Sequence, residues 1–362
     1  MFNDLNFFNR PAALTTGRLR LYLPMKAKQK PKIGRIKQIA TLLCVLPNIV
    51  MSQKETIVFH NCENFFYPYK DTTSQDDDYT ATGRKHWTKS RFEKKRDMLA
   101  KTYIAIGNGD FPALIGLCEI EGKEVLDELC FNSPLAKANY NYIHYDSKDI
   151  RGIDVALLYD KDKFTPDYSQ QITPPIKDED EPTRDVLYVK GRLNKNFQLH
   201  IFVIHAPSRR EHNIKRQLRE SIFSLVKQKI DSLCSQGENN FLIMGDMNDN
   251  PWDESIINGF GTAEGGKNKP FLTNLMQNNQ NKTGSYYYEG RLLSFDQFIV
   301  SQNIRQKLIY TNPDDTTHIF NPPFLVSKDR RIKLPIPYST YRHSKYIGGV
   351  SDHFPVYLNI NI

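Results

Sequence analysis

A chain of 362 residues with 39% hydrophobic and 12% aromatic residues can fill one large core or two ordinary ones, which excludes a disordered protein. The net charge of +8 looks like a polyanion footprint until it is located: residues 1–51 hold nine Lys or Arg and one acid, leaving 40 basic and 40 acidic residues from Ser52 onward. The body is neutral, so bulk charge argues neither for nor against a nucleic-acid partner.

The basic leader has its own logic. Met25 is followed by "KAKQKPKIGRIKQ", then the apolar "IATLLCVLPNIVM", then Ser52 and Gln53. A positive region, a short apolar region and a small residue at a cleavage point read as a secretory signal peptide, with residues 1–24 as an upstream extension. The apolar run from Ile39 to Met51 contains Pro47 and Asn48 and is too short and broken for a transmembrane helix. The expectation is therefore a leader over residues 1–52 and a secreted or periplasmic body over 53–362. Four cysteines remain in that body, Cys62, Cys118, Cys130 and Cys234, at a spacing that fits no zinc ribbon or disulfide framework. Cys62 and Cys118 read as small buried apolar residues.

From Glu55 the body alternates short apolar strands with helices and loops. "ETIVFHNCENFF" is strand-like; "RFEKKRDMLAKTYIAIG" carries apolar residues at helical spacing, with a basic opposite face; "FPALIGLCEI" reads as a buried strand. The strand series continues through "GIDVALLYD", "DVLYVKGRL", "FQLHIFVIHA", "NFLIMGDM", "FDQFIVS" and "HFPVYLNI", with a second long helix from Asn213 to Cys234. The "NKN" between "DVLYVKGRL" and "FQLHIFVIHA" predicts a hairpin, so the sheets are mixed rather than strictly parallel. The acidic runs Asp76–Asp78 and Asp178–Glu181 read as solvated loops.

Reactive polar residues gather where strands begin or end. Asn61 follows "IVFH", Glu119 follows "LIGLC", His205 follows "IFVI", and Asp246 with Asn248 follows "FLIMG"; Asp296 precedes "QFIV", and Asp352 with His353 precedes "FPVYL". Loops at strand ends are where a rigid scaffold carries its chemistry. Several carboxylates brought together cannot all stay ionised without a cation, and an oxygen-rich set with few His and no Cys favours Mg²⁺ or Mn²⁺ over zinc. His353, held in one tautomer by a carboxylate such as Asp296, and His205, with Arg209 and Arg210 close behind, suit phosphate-ester hydrolysis. Asp246 and Asn248 alternate along an extended chain and are expected to face the same side. Each residue taken singly also fits a structural part as turn former, cap or core histidine.

The blocks "FHNCENFF", "LCEIEG", "RGIDVALLY", "VIHAPSRR", "GDMNDNP", "SFDQFIV" and "SDHFPVY", in this order, resemble the endonuclease/exonuclease/phosphatase superfamily over roughly Glu55 to Ile362. The resemblance implies an α+β fold, a four-layer α/β/β/α sandwich of two mixed β-sheets flanked by helices, with the site at one end. It implies Glu119 as principal metal ligand, supported by Asn61 and Asp352. Asp246 would orient or deprotonate the attacking water, Asn248 would hold a phosphate oxygen, and His205 would lie near the leaving group. His353, paired with Asp296, would contact the phosphate. Arg209 and Arg151 are candidate phosphate-binding residues, while Asp154 is read as the partner of a nearby base.

Three functions follow for testing against structure: a divalent-metal phosphodiesterase acting on nucleic acid, the same chemistry on a phospholipid headgroup or small phosphorylated metabolite, and a binding protein that kept the sandwich. A basic groove beside the site would favour nucleic acid; an exposed apolar hairpin, for which "GSYYYEG" is a candidate, would favour lipid. Nothing in the sequence implies a stable protein partner, and the chain is expected to be a monomer.

Overall fold

The computed structural model of the chain describes residues 53–70, 76–175, 182–209, 215–262, 271–277, 283–309, 317–327 and 333–362. The expected leader, Arg210 and the acidic run Asp178–Glu181 lie outside the described residues.

Two six-stranded sheets carry the fold. In chain order the first elements are β1 (Lys54–Phe65), α1 (Lys89–Gly107), β2 (Leu114–Ile120), α2 (Lys123–Phe131), β3 (Tyr140–His144), β4 (Asp154–Asp160) and β5 (Phe164–Ile172). There follow β6 (Val186–Leu193), β7 (Phe197–His205), α3 (Arg216–Ser235), β8 (Phe241–Asp246), α4 (Glu254–Phe260), β9 (Leu272–Asn274), β10 (Tyr286–Tyr288) and β11 (Arg291–Leu293). The chain closes with β12 (Asp296–Ser301), α5 (Gln302–Arg305), β13 (His318–Ile319), β14 (Tyr341–Arg342), β15 (Lys345–Tyr346) and β16 (Val356–Asn361). One sheet has the order β13-β16-β1-β2-β4-β3 and the other β5-β6-β7-β8-β12-β9; β10-β11 and β14-β15 are separate hairpins.

Each large sheet has one parallel pair at its centre, β1 with β2 and β7 with β8, and antiparallel pairing elsewhere. A parallel pair needs a long crossover, and α1 and α3 supply the two. Strand periodicity then sorts side chains into three cores. Ile57, Phe59, Leu157, Val203, Met244 and Leu358 point between the sheets. Val58, Ile115 and Leu158 point outward against α1 and α2, while Phe202, Ile243 and Ile299 meet α3 and α4. Full burial of each such side chain contributes about 1.5–3 kcal/mol. The result is the expected four-layer α/β/β/α sandwich, and the "NKN" hairpin forms with Asn194 and Lys195 both at positive φ.

Several local expectations change. Helix α2, edge strand β5 and strand β3 were not legible as periodic runs; the expected start of α3 at Asn213 lies outside the described residues, and the helix is described from Arg216. Asp76 is buried and accepts a 3.1 Å bond from Lys70, so that acidic run is not simply solvated. Lys95 leaves the basic face of α1 and sits in its buried stripe, three residues after Phe92. Cys62, Cys118 and Cys130 are free and buried, and Cys234 is free and half-buried. No described helix is long and apolar enough to cross a membrane.

Gly245 lets β7 and β8 approach, because a Cβ there would lie 2.3 Å from the Ile204 carbonyl oxygen. That approach sets His205 opposite Asp246 in the ladder. Gly245→Ala should destabilise the chain by about 1–3 kcal/mol through overpacking, read as a lower urea midpoint at unchanged m-value. An unchanged midpoint would mean the strands relax apart at no cost.

Candidate active site

The topology gathers the candidate residues. Strands β1, β2, β7 and β8 end at the same edge of the sandwich at which β12 and β16, antiparallel to β8 and β1, begin. Asn61, Glu119, His205 and Asp246 therefore meet Asp296, Asp352 and His353, and most of this set lines one cavity of about 930 Å³. Backbone irregularities aim the side chains. Glu119 has φ +59° and falls in a register shift of β2 against β4, a bulge that turns its carboxylate to the edge. Asn248 has φ +51°, and its N–H donates to Asp246 Oδ1 at 2.9 Å. Asp246 and Asn248 do reach the same cavity, but through this turn and not through strand alternation.

Asp246 is the hub. Its Oδ2 accepts from Asn61 Nδ2 at 2.9 Å and lies 3.9 Å from both His205 Nε2 and His353 Nε2. Burial pushes its carboxyl up to about 6, with the neighbouring Asp296 adding to the rise and His353, Asn61 and the Asn248 N–H opposing it. His353 Nδ1 meets Asp296 Oδ2 at 2.7 Å, and Tyr286 stacks on its ring at 4.5 Å. Burial alone would lower the His353 pKa, but Asp296, Asp246 and Asp352 outweigh it, holding the ring protonated well above 6.5. His205 is the opposite case: burial, then Arg184, Arg151 and His353, drive it well below 6.5, so it is neutral. Two imidazoles at one site thus hold different charge states.

The oxygen donors fit a hard divalent ion. Glu119 Oε2 accepts the Asn64 N–H at 2.6 Å while Oε1 stands 3.8 Å from His205 Nε2. Asp352 is pushed up to about 6 by desolvation and then by the Glu119 carboxylate, opposed by His353 and Lys95. A cation between Glu119 and Asp352 would remove that conflict. Asn61 Oδ1 already accepts the Glu63 N–H at 2.9 Å and keeps one lone pair for a ligand. Asp246, Asp296 and His353 also place ligand atoms within 4.8 Å of one another. A protonated ring has no lone pair for a metal, so this trio suits proton and phosphate chemistry better than ligation.

Comparison with known proteins identifies the family. The model of the Endonuclease/Exonuclease/phosphatase family matches residues 56–362. The chain belongs to that family. It is accordingly a metal-dependent phosphoric ester hydrolase. Solved structures similar to it include an endonuclease/exonuclease/phosphatase family protein from Bacteroides thetaiotaomicron, at TM-score 0.55 and 16% identity, covering 86% of this chain and 96% of that one. D. rerio TDP2 complexed with a single-strand DNA product gives 0.52 and 15%, covering 86% and 100%. The mannosyl-6-phosphatase of B. thetaiotaomicron VPI-5482 gives 0.52 and 16%, covering 84% and 98%. At these identities the likeness establishes the fold. No curated protein sequence matches the chain.

In this family member the remaining candidates occupy the rim. Arg151 lines the cavity, pairs with Asp149 at 3.4 Å and is 42% exposed on its side chain. Arg209 also lines it, but its guanidinium is held by the Asn248 carbonyl, by Asp249 and by Asp253. Asp154 accepts from a nearby base, His144, and from the Ser147 N–H. Four residues were missed in the sequence. Arg184 is buried in the cavity wall, and His60 contacts the His353 carbonyl at 3.2 Å. Tyr286 covers the His353 ring. Lys95 donates to the Glu63 carbonyl at 2.6 Å and to Thr340 Oγ1 at 2.7 Å, bracing the end of β1. Lys95 left a signal in its place on the apolar stripe of α1, and Tyr286 lay in the "GSYYYEG" segment, read only as a lipid-facing candidate.

The His353–Asp296 pair has a definite pH sign. Its folded pKa lies above 6.5, so its stabilisation is complete below that pH and is lost as pH rises through the folded value. Asp296→Asn should lower the pH at which His353 titrates in ¹⁵N-histidine NMR and cut turnover by about 10²–10⁴. An unmoved titration would assign the shift to Asp246 and Asp352 instead.

Proposed function

We propose that this phosphoesterase is an endonuclease-like, Mg²⁺-dependent phosphodiesterase acting on nucleic acid, with Mn²⁺ as an alternative ion. The observation that carries the reading is the character of the rim. Arg84, Lys85, Arg151, Arg184, Arg209 and Arg291 line the cavity together with the acids Asp78, Glu119, Asp246, Glu289 and Asp352, and Tyr79 and Tyr288 stand at it as well, Tyr288 52% exposed. Basic side chains track a phosphate backbone, while aromatic faces stack on bases of any sequence. The solved relative holding a single-strand DNA product supports the same choice. The hairpin β10–β11 carries three tyrosines, Arg291 and Glu289 beside Leu292 and Leu293, and its charged pair suits a base and phosphate better than a lipid surface.

Glu119, Asp352 and Asn61 would hold the ion, which when bound neutralises charge on the phosphate oxygens. Asp246, a stronger base than an ordinary aspartate at about 6, orients the attacking water and takes its proton. The protonated His353 faces the developing charge on phosphate, and Asp296 fixes its orientation. Asn248 gives one amide hydrogen to the Ala206 carbonyl at 2.9 Å and has the other for a phosphate oxygen. His205, neutral and within 4 Å of Glu119 and Asp246, stands toward the leaving group. Arg209 and Arg151 add positive charge at the rim.

The test is a Mg²⁺-titrated activity screen of residues 53–362 on plasmid DNA, RNA, sphingomyelin and small phosphomonoesters. Metal-dependent nicking is expected, abolished by EDTA and reduced at least about 10²-fold by Asp246→Ala and by His353→Ala. Turnover confined to a lipid or a small phosphoester would replace the substrate, and silence on all four would leave a binding role. We further propose that the leader directs secretion. N-terminal sequencing of protein recovered outside the cytoplasm should then begin near Gln53, and a retained leader would reject the proposal.

A further inference from the structure

Beside the catalytic cavity lies a second one of about 200 Å³, and the two share Arg151, Arg184 and Ser208 as walls. Asp149 is the one acid among the described residues lining this side cavity. Its two oxygens are divided between two cations. Oδ2 accepts Arg184 Nη1 at 2.9 Å, while Oδ1 accepts the Arg151 N–H at 3.0 Å and stands 3.4 Å from Arg151 Nε. Arg184 is 6% exposed on its side chain, gives Nη2 to the Ala206 carbonyl at 3.0 Å, and leaves its buried Nε–H without a partner. Two guanidinium groups therefore share one buried carboxylate, Arg184 in the buried wall and Arg151 half-exposed at the mouth. Placing an uncompensated cation there is costly unless an anion completes it.

We propose that the Arg151–Arg184 side cavity binds a second phosphate of the substrate, adjacent to the phosphate that is cleaved. The proposal rests on the nucleic-acid reading and sharpens it: the preferred substrate carries at least two phosphates, one in each cavity. Guanidinium is suited to this because its planar fork matches phosphate oxygens in pairs. The position is also right for the chemistry. Both arginines line the catalytic cavity as well, and the Ala206 carbonyl that accepts from Arg184 also accepts from Asn248. The side cavity is walled by Pro207 and Ser208, two and three residues after the candidate leaving-group histidine.

The experiment compares thymidine 3′,5′-bisphosphate with thymidine 5′-monophosphate by isothermal titration, on the full chain with excess Mg²⁺ and with Asp246→Ala present to stop turnover. The bisphosphate should bind at least about tenfold tighter, the size of one charge-assisted hydrogen bond. Adding Arg151→Ala or Arg184→Lys should bring the two ligands to within about twofold of each other. Arg151 is half-exposed, so its variant folds even where a change at buried Arg184 does not. A bisphosphate that binds no tighter than the monophosphate, or a preference that survives both substitutions, overturns the proposal. The preference is read on binding and stands apart from cleavage. If it is present while the wild-type chain leaves nucleic acid uncut, the nucleic-acid reading fails and the second site remains, serving a bisphosphorylated metabolite.

Discussion

A single 2.9 Å hydrogen bond from Asn61 to Asp246 joins the end of β1 in one sheet to the end of β8 in the other. The rest of the site depends on that junction. Two sheets packed face to face are free to slide, and apolar packing between them has no direction. The Asn61 bond and the His353–Asp296 bond each fix a point of one sheet against a point of the other, both at the same edge. Gly245 serves the same end by drawing β7 against β8 so that His205 and Asp246 lie side by side. The catalytic edge is thus the place where the sandwich is cross-linked by polar groups, which a purely apolar interface could not position within a fraction of an ångström.

Such a junction needs buried charge, and buried charge needs compensation. Here the compensation is mutual. Asp246, Asp296 and Asp352 hold His353 protonated, and His353 in turn opposes the rise in Asp246 and Asp352. Glu119 and Asp352 remain in conflict without a cation, which is why an oxygen-binding ion belongs to the site as a matter of electrostatics. Outside this group, Lys95 is buried beside Glu63, whose carboxyl is pushed up to about 7 by burial and then by Asp352. Glu63 accepts the N–H groups of Thr340 and Tyr341 at 2.6 and 3.2 Å, and Lys95 bonds Thr340 as well. These bonds tie the loop before His353 to the irregular end of β1, where Glu63 and Asn64 both have φ near +50°. Backbone in that region is costly for a side-chain-bearing residue and persists because its surroundings enforce it.

How much of this was legible in the sequence follows from the kind of signal each part leaves. The central strands were readable because they are apolar on both faces, so β1, β2, β7 and β8 stand out as runs bounded by polar residues. The candidate site residues were readable for the same reason, since each interrupts or ends such a run. Edge strand β5 was not, because Phe164–Ile172 is largely exposed and lacks a clean alternation. Arg184 left no trace: "DEPTR" reads as a charged loop, and only the folded chain shows that its last residue turns inward to Asp149 and the Ala206 carbonyl. The turn at Asn248 was misread as extended because positive φ at Asn has no unambiguous sequence mark.

The charge balance shows most clearly how an average can mislead. A neutral body left a polyanion partner undecided when charge was summed over the chain, because the sum mixes two populations. Many acids are spent inside, on the ion site, the imidazoles and pairs such as Arg219 with buried Asp249. The cations of the rim stand at the cavity, and Arg209 among them is fixed in place, resting on the Phe295 ring and bracketed by Asp249 and Asp253. On the proposed reading, the enzyme engages a few phosphates around the scissile bond rather than tracking a long duplex, since affinity from counterion release grows with every phosphate neutralised. A surface built that way stays neutral overall and still concentrates charged groups of both signs at one edge, which suits a hydrolase whose recognition is confined to the neighbourhood of one bond.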